Sequence, residues 1–202
     1  MKKNEFLYQI MRPVFSGILA LYYNPRIINR NYIPRYGAAV VAGNHKHALD
    51  PLLVGASTVR VLHSLAKKEL HDGAFGWLFR AAGTIPVDLH ARENRQALAS
   101  AVEYLRAGAL IGVSPESKRN YTSEVLLPFK FGAVSMAQKT GCPIIPYAIT
   151  GEYRFRSRDL TIEFGPPLDV SGQSVSQANQ LLYDTIKDML IRRKEESKRG
   201  PR

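Results

Sequence analysis

Short apolar runs along the chain alternate with longer segments in which apolar residues recur every three or four positions. The short runs predict β-strands at 38–42, 59–65, 84–87, 109–113, 144–149 and 160–164. The periodic segments predict helices at 75–82, 92–107, 129–140 and 176–193, and a glycine follows the first three of them, as is common where a helix ends. This alternation indicates an α/β fold with a mixed, mostly parallel central sheet flanked by helices. With 202 residues and no repeat or low-complexity linker, the chain is expected to form a single domain.

A further helix is predicted ahead of this core. Between Phe6 and Tyr23 the apolar residues recur at helical spacing, and the charged and polar residues fall largely on the other side. The stretch without a charge runs only from Pro13 to Tyr23, whereas a bilayer span takes about 20 apolar residues. We therefore expect an amphipathic helix that either lies in a lipid interface or docks on the protein's own core. Pro13 is expected to kink this helix or to start it afresh.

The net charge of +11 is concentrated at the two ends of the chain. Residues 1–35 carry six basic residues against one acidic residue, and residues 187–202 carry seven against three. Such blocks attract polyanions, so nucleic acid, an anionic lipid surface and an acidic carrier protein are the candidate partners. The single cysteine, Cys142, excludes a disulfide framework within the chain, and its apolar surroundings predict a place in the core.

The candidate chemistry lies in a polar segment, 43–51, that directly follows the predicted strand at 38–42. Open α/β sheets bind ligands where parallel strands end. His45 and Asp50 would be about 140° apart on a regular helix and would not meet. If His45 instead lies in a loop and Asp50 starts a helix, the carboxylate can reach the ring. It would then fix the tautomer and raise the basicity of the imidazole, as a general base for a hydroxyl requires.

Other interpretations of this segment stay open. Asp50 followed by Pro51 is also an ordinary helix N-cap with a first helical residue. His47 is a rival candidate for the base. The side chains of His45, His47 and Asp50 also match a metal triad, but no other part of the sequence supports metal binding, and we expect no metal site.

The motif Asn44-His45-x-x-x-x-Asp50-Pro51 resembles the first signature of the glycerolipid acyltransferases typified by 1-acyl-sn-glycerol-3-phosphate (lysophosphatidate) acyltransferase. Further blocks resemble those of the family in the same order: Ala66–Leu70, Phe75-Gly76-Trp77, Gly83–Asp88, Pro115-Glu116-x-x-Arg119, Phe129–Ala133, Gly141–Pro146 and Phe164–Val170. A lone His-x4-Asp would be weak evidence, whereas several ordered blocks over residues 40–170 are strong evidence.

The resemblance implies acyl transfer without a covalent acyl-enzyme. In the family the histidine removes a proton from a glycerol hydroxyl and the aspartate orients it, so His45 is expected to be the general base and Asp50 its orienting partner. The donor would be acyl-CoA or acyl-carrier protein, with no cofactor besides. The acceptor would be 1-acyl-sn-glycerol 3-phosphate and the product phosphatidate; glycerol 3-phosphate or a different lysolipid are the alternative acceptors.

The Pro-Glu-x-x-Arg block of the family helps to bind the acceptor, which implies that Glu116, Ser117 and Arg119 contact it here. A guanidinium grips phosphate through two parallel hydrogen bonds, which suits Arg119, although a solvated loop is the alternative for this residue. Lys68 and Arg92 are further candidate cations for an anionic substrate.

Two departures from the family pattern concern the acceptor. Leu89 follows Asp88 where the family has an arginine, so Arg92, His90 or Lys118 must substitute, or the acceptor is not a phosphate monoester. Ser117 stands where the family has glycine, which narrows the backbone freedom of that loop.

These features divide the chain into an N-terminal amphipathic membrane-association helix (1–28), an acyltransferase α/β core (29–175) and a C-terminal helix with a basic tail (176–202). Because the acceptor and product are lipids, we expect a peripheral protein on the cytoplasmic face of a membrane, held by apolar burial and by attraction to anionic lipid. The alternative is a non-catalytic basic protein that binds membranes or nucleic acid. The sequence has no helix-turn-helix, zinc or RNA-recognition signature, so we expect no nucleic-acid partner.

Overall fold

A sheet with helices on both faces forms the centre of the protein in the computed structural model, which describes residues 3–88, 94–157 and 159–198. Within these residues seven strands lie in the order β1-β7-β6-β2-β5-β3-β4. The strands are β1 (Arg26–Ile28), β2 (Ala39–Gly43), β3 (Leu62–Lys67), β4 (Ile85–Val87), β5 (Leu110–Val113), β6 (Ile144–Thr150) and β7 (Thr161–Phe164). The helices are α1 (Lys3–Tyr23), α2 (Asp50–Ala56), α3 (Lys68–Asp72), α4 (Gly76–Ala81), α5 (Arg95–Arg106), α6 (Gly132–Thr140) and α7 (Val175–Lys198), with a 3-10 turn at Arg30–Tyr32.

The strand directions bring several loops to one edge of the sheet. Strands β6, β2, β5, β3 and β4 are mutually parallel, whereas β7 is antiparallel to β6, and β1 is parallel to β7. The carboxyl ends of the five parallel strands therefore meet at the same edge, where open α/β sheets place their ligands. The mixed, mostly parallel sheet predicted from the sequence is confirmed.

The central strand β2 shows how the core is divided between the two faces. All five of its residues are buried, as expected for a parallel strand that is covered on both sides. Val40 and Ala42 pack in a cluster with residues of α5, α6 and α7. Ala39 and Val41 pack in a second cluster, which includes Leu53 of α2. The molecule therefore has three layers, with α5–α7 on one face of the sheet and α2 on the other.

Helix α1 packs on α2 and α4 and also presents an apolar row to solvent. Leu19 is buried, and the Arg12 guanidinium donates to the carbonyl of Thr58 at 3.0 Å. On the outer side, an apolar row of four residues is 50–74% exposed: Ile10, Val14, Ile18 and Leu21. No helix in the described part of the chain is long and apolar enough to span a bilayer.

The expectation that α1 starts afresh at Pro13 is wrong, because the helix runs through this residue without interruption. Proline lacks the N–H that would bond to the carbonyl four residues earlier, here that of Gln9. Pro13 and Gln9 both lie on the exposed side, where water can satisfy that carbonyl.

Most predicted elements correspond to observed ones with shifts of a few residues. Strand β3 begins at Leu62 rather than at position 59, and Val59 is exposed ahead of it. Helix α5 begins at Arg95, and positions 92 and 93 of the predicted 92–107 helix lie outside the described residues. Cys142 is buried in the core cluster as predicted, and burial raises the pKa of its thiol.

Candidate active site

The site begins where β2 ends, at a glycine that lies against β6. A Cβ on Gly43 would collide with the ring and the backbone carbonyl of Tyr147, so no larger residue fits without displacing that residue. The next residue, Asn44, is bonded to β6 through its side chain: Nδ2 donates to the carbonyl of Ile149 at 2.9 Å, and Oδ1 accepts from the N–H of Ile149 at 2.7 Å. These contacts fix the direction of the chain as it enters the loop that carries His45.

His45 and Asp50 meet as the sequence analysis expected. His45 lies in the loop, Asp50 is the first residue of α2, and the distance from His45 Nδ1 to Asp50 Oδ2 is 2.9 Å. The carboxylate is almost completely buried, with 1% of the side chain exposed, and the imidazole is 22% exposed. An Nδ1–H that donates to the carboxylate leaves Nε2 as the basic nitrogen of the ring.

The carboxylate of Asp50 folds the loop back on itself. Its Oδ2 also accepts the backbone N–H groups of Lys46 and His47, each at 2.8 Å. These donors precede Asp50, so its carboxylate binds the loop that leads into α2. Leu49 is the N-cap of α2 and Asp50 is the first helical residue, so the alternative of an ordinary N-cap at Asp50 is wrong.

A tyrosine that is 103 residues from Asp50 in the sequence also contacts its carboxylate. The hydroxyl of Tyr153, in the loop after β6, donates to Asp50 Oδ1 at 2.7 Å. Burial raises the pKa of Tyr153 far above its ordinary value, and the negative charge of Asp50 raises it further. The ring of His47 stacks on that of Tyr153 with centroids 4.3 Å apart, and His47 Nδ1 accepts the N–H of Leu49 at 3.2 Å.

The loop after β5 holds the backbone of His45 from both sides. Glu116, which is buried, accepts the N–H of His45 on Oε1 and the N–H of Leu127 on Oε2, each at 2.8 Å. The N–H of Asn120 donates to the carbonyl of His45 at 2.9 Å. Burial raises the pKa of the Glu116 carboxyl, and the two backbone donors oppose that effect.

Three of the remaining predicted substrate residues follow strands that end at the same edge of the sheet: Ser117 and Arg119 follow β5, and Lys68 follows β3. Ser117 has a left-handed backbone with φ of +59°. Arg119 is exposed, and its guanidinium lies 5.5 Å from the centroid of the Tyr121 ring. Lys68 is exposed at the start of α3, directly after β3. Arg92 lies outside the described residues.

His45, Asn44 and Glu116 line a cleft of about 1610 Å³ that extends along the β6–β7 side of the edge to the end of α7. The cleft contains both apolar side chains and cations. The apolar ones are Val125, Ile149, Leu190 and Ile191, and the cations are Arg26, Lys46, Arg193, Lys194 and Lys198.

Two of these cations are neutralised by carboxylates. Lys46 bonds to the carbonyl of Gly151 and to Glu152, and Arg193 pairs with Glu163 and Glu196. Among the described residues, the three other cations of the cleft have no carboxylate within ion-pair distance: Arg26, Lys194 and Lys198.

Sequence reasoning did not identify Tyr153 or the contribution of α7. Tyr153 is 103 residues from Asp50, and no spacing rule connects two positions so far apart. Within the described residues, no cluster of three or more His, Cys, Asp and Glu side chains could hold a metal ion.

An imidazole that is oriented by a buried carboxylate and open to a cleft is an arrangement for taking a proton from a hydroxyl group. The acyltransferase family model matches residues 24–150 of the chain. The protein belongs to this family and is an acyltransferase, which confirms the resemblance noted in the sequence.

Relatives with assigned names agree with this membership. The chain is 28% identical over 170 residues to the 1-acyl-sn-glycerol-3-phosphate acyltransferase of Bacillus subtilis. The aligned region covers 80% of this chain and 82% of that protein. It is 34% identical over 134 residues to a probable 1-acyl-sn-glycerol-3-phosphate acyltransferase of Mycoplasma pneumoniae, covering 62% of this chain and 48% of that one. The fold is similar to the crystal structure of the 1-acyl-sn-glycerophosphate acyltransferase of Thermotoga maritima, with a TM-score of 0.74, 20% identity, and coverage of 95% of this chain and 84% of that one.

Proposed function

We propose that this acyltransferase moves a fatty acyl chain from a thioester donor to the free hydroxyl of 1-acyl-sn-glycerol 3-phosphate, giving phosphatidate. The observation that carries the proposal is the pair of His45 and Asp50, joined at 2.9 Å at the wall of a large cleft. The names of the relatives from Bacillus subtilis and Mycoplasma pneumoniae support the choice of acceptor.

His45 is the general base in this reaction. Its Nε2 takes the proton from the acceptor hydroxyl while the oxygen attacks the thioester carbonyl carbon. A C–O bond forms, the C–S bond breaks, and the departing thiolate receives the proton from the imidazolium. Asp50 stabilises the imidazolium and keeps the ring in the productive tautomer throughout. No covalent acyl-enzyme is required.

The acceptor phosphate binds on the β5–β3 side of His45. Arg119 follows β5 and Lys68 follows β3, and both side chains are exposed to an incoming anion. Ser117 lies between Glu116 and Arg119 in the sequence, and Arg92, which follows β4 in the sequence, is a further candidate cation for the phosphate. A guanidinium that binds phosphate in two-point fashion suits the phosphate monoester of the acceptor.

The thioester donor, acyl-CoA or acyl-carrier protein, binds in the cleft on the other side of His45. Its apolar walls suit the acyl chain, and the cations without carboxylate partners, Arg26, Lys194 and Lys198, suit the phosphates of the donor or an acidic carrier protein. The two substrates then meet at His45 from opposite sides.

The protein works as a peripheral protein on the cytoplasmic face of a membrane. The exposed apolar row of α1 can enter the lipid interface while the opposite side of the helix stays packed on α2. Phe75 and Trp77, which are 70% and 58% exposed, lie at the start of α4, and α4 packs against α1. The excess of basic residues in the N-terminal segment favours an anionic leaflet.

A reconstitution assay with defined substrates tests this function. Purified protein is incubated with labelled acyl-CoA or acyl-carrier protein and, separately, lysophosphatidate, glycerol 3-phosphate and a lysolipid without a phosphate monoester, and the product is identified by mass spectrometry. We expect phosphatidate to be the main product.

The variant His45→Ala should lose roughly 10²–10⁴-fold in kcat because the base is removed. The variant His47→Ala, which removes the rival base, should retain far more activity. Near wild-type transfer by folded His45→Ala protein would refute the mechanism.

A further inference from the structure

The two oxygens of the Asp50 carboxylate have different partners. Oδ2 accepts His45 Nδ1 and two backbone N–H groups, whereas Oδ1 accepts the hydroxyl of Tyr153 at 2.7 Å. A carboxylate that is 1% exposed needs donors on both oxygens, because burial without them is costly. Tyr153 supplies the donor to Oδ1 of the carboxylate that orients His45.

The chemical state of Tyr153 limits its part in the reaction. Burial and the adjacent negative charge of Asp50 raise its pKa above the ordinary value of 10. The phenol consequently remains protonated and acts as a hydrogen-bond donor to Asp50, and it does not exchange a proton with substrate.

The ring of Tyr153 lies between the loop that carries His45 and the end of α1. His47 stacks on the ring, and Tyr23, the last residue of α1, meets it edge-on with centroids 5.4 Å apart. The loop that carries Tyr153 is bound to α1 at two further points. Tyr22 packs against Phe155 at 5.0 Å, and the carbonyl of Tyr22 accepts the N–H of Arg156 at 2.7 Å.

We propose that Tyr153 is a positioning residue for acyl transfer: its hydroxyl holds the carboxylate of Asp50 in the orientation that His45 requires, and its ring connects that carboxylate to the end of α1. The proposal rests on the function proposed above. The proposal also makes α1, the helix with the exposed apolar row, part of the support of the active site. Tyr23, the last residue of α1, packs against Tyr153, and Tyr153 contacts Asp50.

The variant Tyr153→Phe keeps the ring and removes only the hydroxyl. In the assay that converts lysophosphatidate to phosphatidate, we expect kcat to fall roughly 10-fold while KM for both substrates stays within about twofold. The acidic limb of the pH profile of kcat/KM should move to higher pH, because Asp50 keeps more negative charge and holds the proton on His45 more tightly. A kcat and pH profile that superimpose on those of the wild type would overturn the proposal.

The other groups near the pair do not change in this variant, so they do not account for a shift of the profile. Among the described residues, the titratable or charged side chains around His45, Asp50 and Tyr153 are Lys46 and His47 in the loop, Glu116 after β5, Tyr147 on β6, Glu152 after β6 and Tyr23 at the end of α1. Tyr183→Phe is the matched control, since this half-buried tyrosine packs edge-on against Phe129 outside the site. Its kinetics should equal those of the wild type.

Two further variants keep the test decisive if Tyr153→Phe folds poorly. Site-specific 3-fluorotyrosine at position 153 keeps the shape and makes the hydroxyl a stronger donor, so the acidic limb should move to lower pH. In an Asp50→Asn background, the same replacement should leave the profile unchanged, because the tyrosine acts through Asp50. An unshifted limb in the first case, or an equal shift in both, contradicts the proposal.

The contact with α1 is tested by Tyr23→Leu, which removes the ring that meets Tyr153 and leaves its hydroxyl in place. We expect kcat to fall by a smaller factor than in Tyr153→Phe. An unchanged kcat would contradict the link between Tyr153 and α1. If His45→Ala retains full transfer, the proposed function itself fails. If His45→Ala is inactive and Tyr153→Phe equals the wild type, only the positioning role fails.

Discussion

Glu116 uses both carboxylate oxygens to accept backbone N–H groups, and one of these belongs to His45. The family resemblance implies that this residue contacts the acceptor, whereas its hydrogen bonds indicate that it braces the backbone of His45. These roles predict different kinetics. A brace acts on kcat through the position of the imidazole, and a binding residue acts on KM for the acceptor.

For Glu116→Gln we expect kcat to fall with little change in KM for lysophosphatidate, because an amide offers a single acceptor oxygen for two N–H groups. The free energy of unfolding should fall by about 1–3 kcal/mol, since one buried donor loses its partner. Steady-state kinetics and urea unfolding measure the two effects. A rise in KM alone would favour direct contact with the acceptor.

The pH dependence of stability gives a second measurement on Glu116. Because burial raises its pKa above the ordinary value of 4.5, the stability contributed by this group is fully present below pH 4.5 and is lost as the pH rises through the raised pKa. Glu116→Gln cannot titrate, so this part of the pH dependence should be missing from its unfolding curves. Curves with the same pH dependence for both proteins would contradict this assignment.

Ser117 occupies a backbone conformation that suits glycine. Its φ of +59° lies in the left-handed region, where a Cβ is disfavoured. We expect Ser117→Gly to raise the free energy of unfolding by about 0.5–1 kcal/mol in urea titrations. Ser135→Gly in α6 is the control and should lower it by a similar amount, because glycine weakens a helix interior. Destabilisation by both replacements would contradict the strain at Ser117.

At the scale of secondary-structure elements, the local pattern predicted some features well and was silent on others. The run at 38–42 predicted β2 because a central parallel strand is apolar throughout, and the spacing from His45 to Asp50 predicted the fold-back once a helix begins at Asp50. Strand β1 is three residues long and half exposed at the edge of the sheet, so it has no periodic signal. The antiparallel direction of β7 follows from its connection to β6 and not from its own residues.

Contacts between distant elements explain why part of the site could not be predicted. Tyr153 reaches Asp50 because β6 ends at the same edge as β2. Likewise, α7 reaches the cleft because it packs along β6, so its terminal turns lie beside the loop after that strand. Both contacts depend on the order of the strands, which no local spacing encodes.

Helix α7 provides a prediction about the donor. Lys194 and Lys198 are one helical turn apart and line the cleft. Replacing both with glutamine should raise KM for acyl-CoA by about 5–10-fold, if each exposed charge contributes about 0.5–0.7 kcal/mol. An acyl-pantetheine donor without phosphates should show no change. Lys187→Gln, on the same helix beside the Tyr183 ring and outside the cleft, is the control. An equal rise in KM for both donors would indicate that the phosphates of acyl-CoA do not bind at Lys194 and Lys198.

At the scale of the whole molecule, the two helical layers present different surfaces. Helices α5, α6 and α7 bury their apolar sides in one core cluster. On the other face, α1 packs only one side and leaves four apolar residues 50–74% exposed. An exposed apolar row of this size in a helix that carries basic residues is typical of a helix that lies in a lipid interface. The last residue of α1, Tyr23, packs against Tyr153, so the helix with the exposed apolar row contacts the tyrosine that binds Asp50.

The double variant Val14→Gln, Ile18→Gln tests this surface without removing the helix. Each buried aliphatic side chain contributes about 1.5–3 kcal/mol, so affinity for vesicles containing anionic lipid should fall at least about 10-fold per substitution in a sedimentation assay. Added salt should weaken binding of the wild type, since its basic residues act over a Debye length of about 8 Å.

The matched control, Val175→Gln with Leu181→Gln, changes two similarly exposed apolar residues of α7 on the opposite face and should bind as the wild type does. Transfer to a short-chain, monomeric lysophosphatidate should be equal for all three proteins, because that acceptor is reached without docking. Vesicle binding that survives in the α1 variant, or that falls equally in the control, would show that the membrane meets another surface.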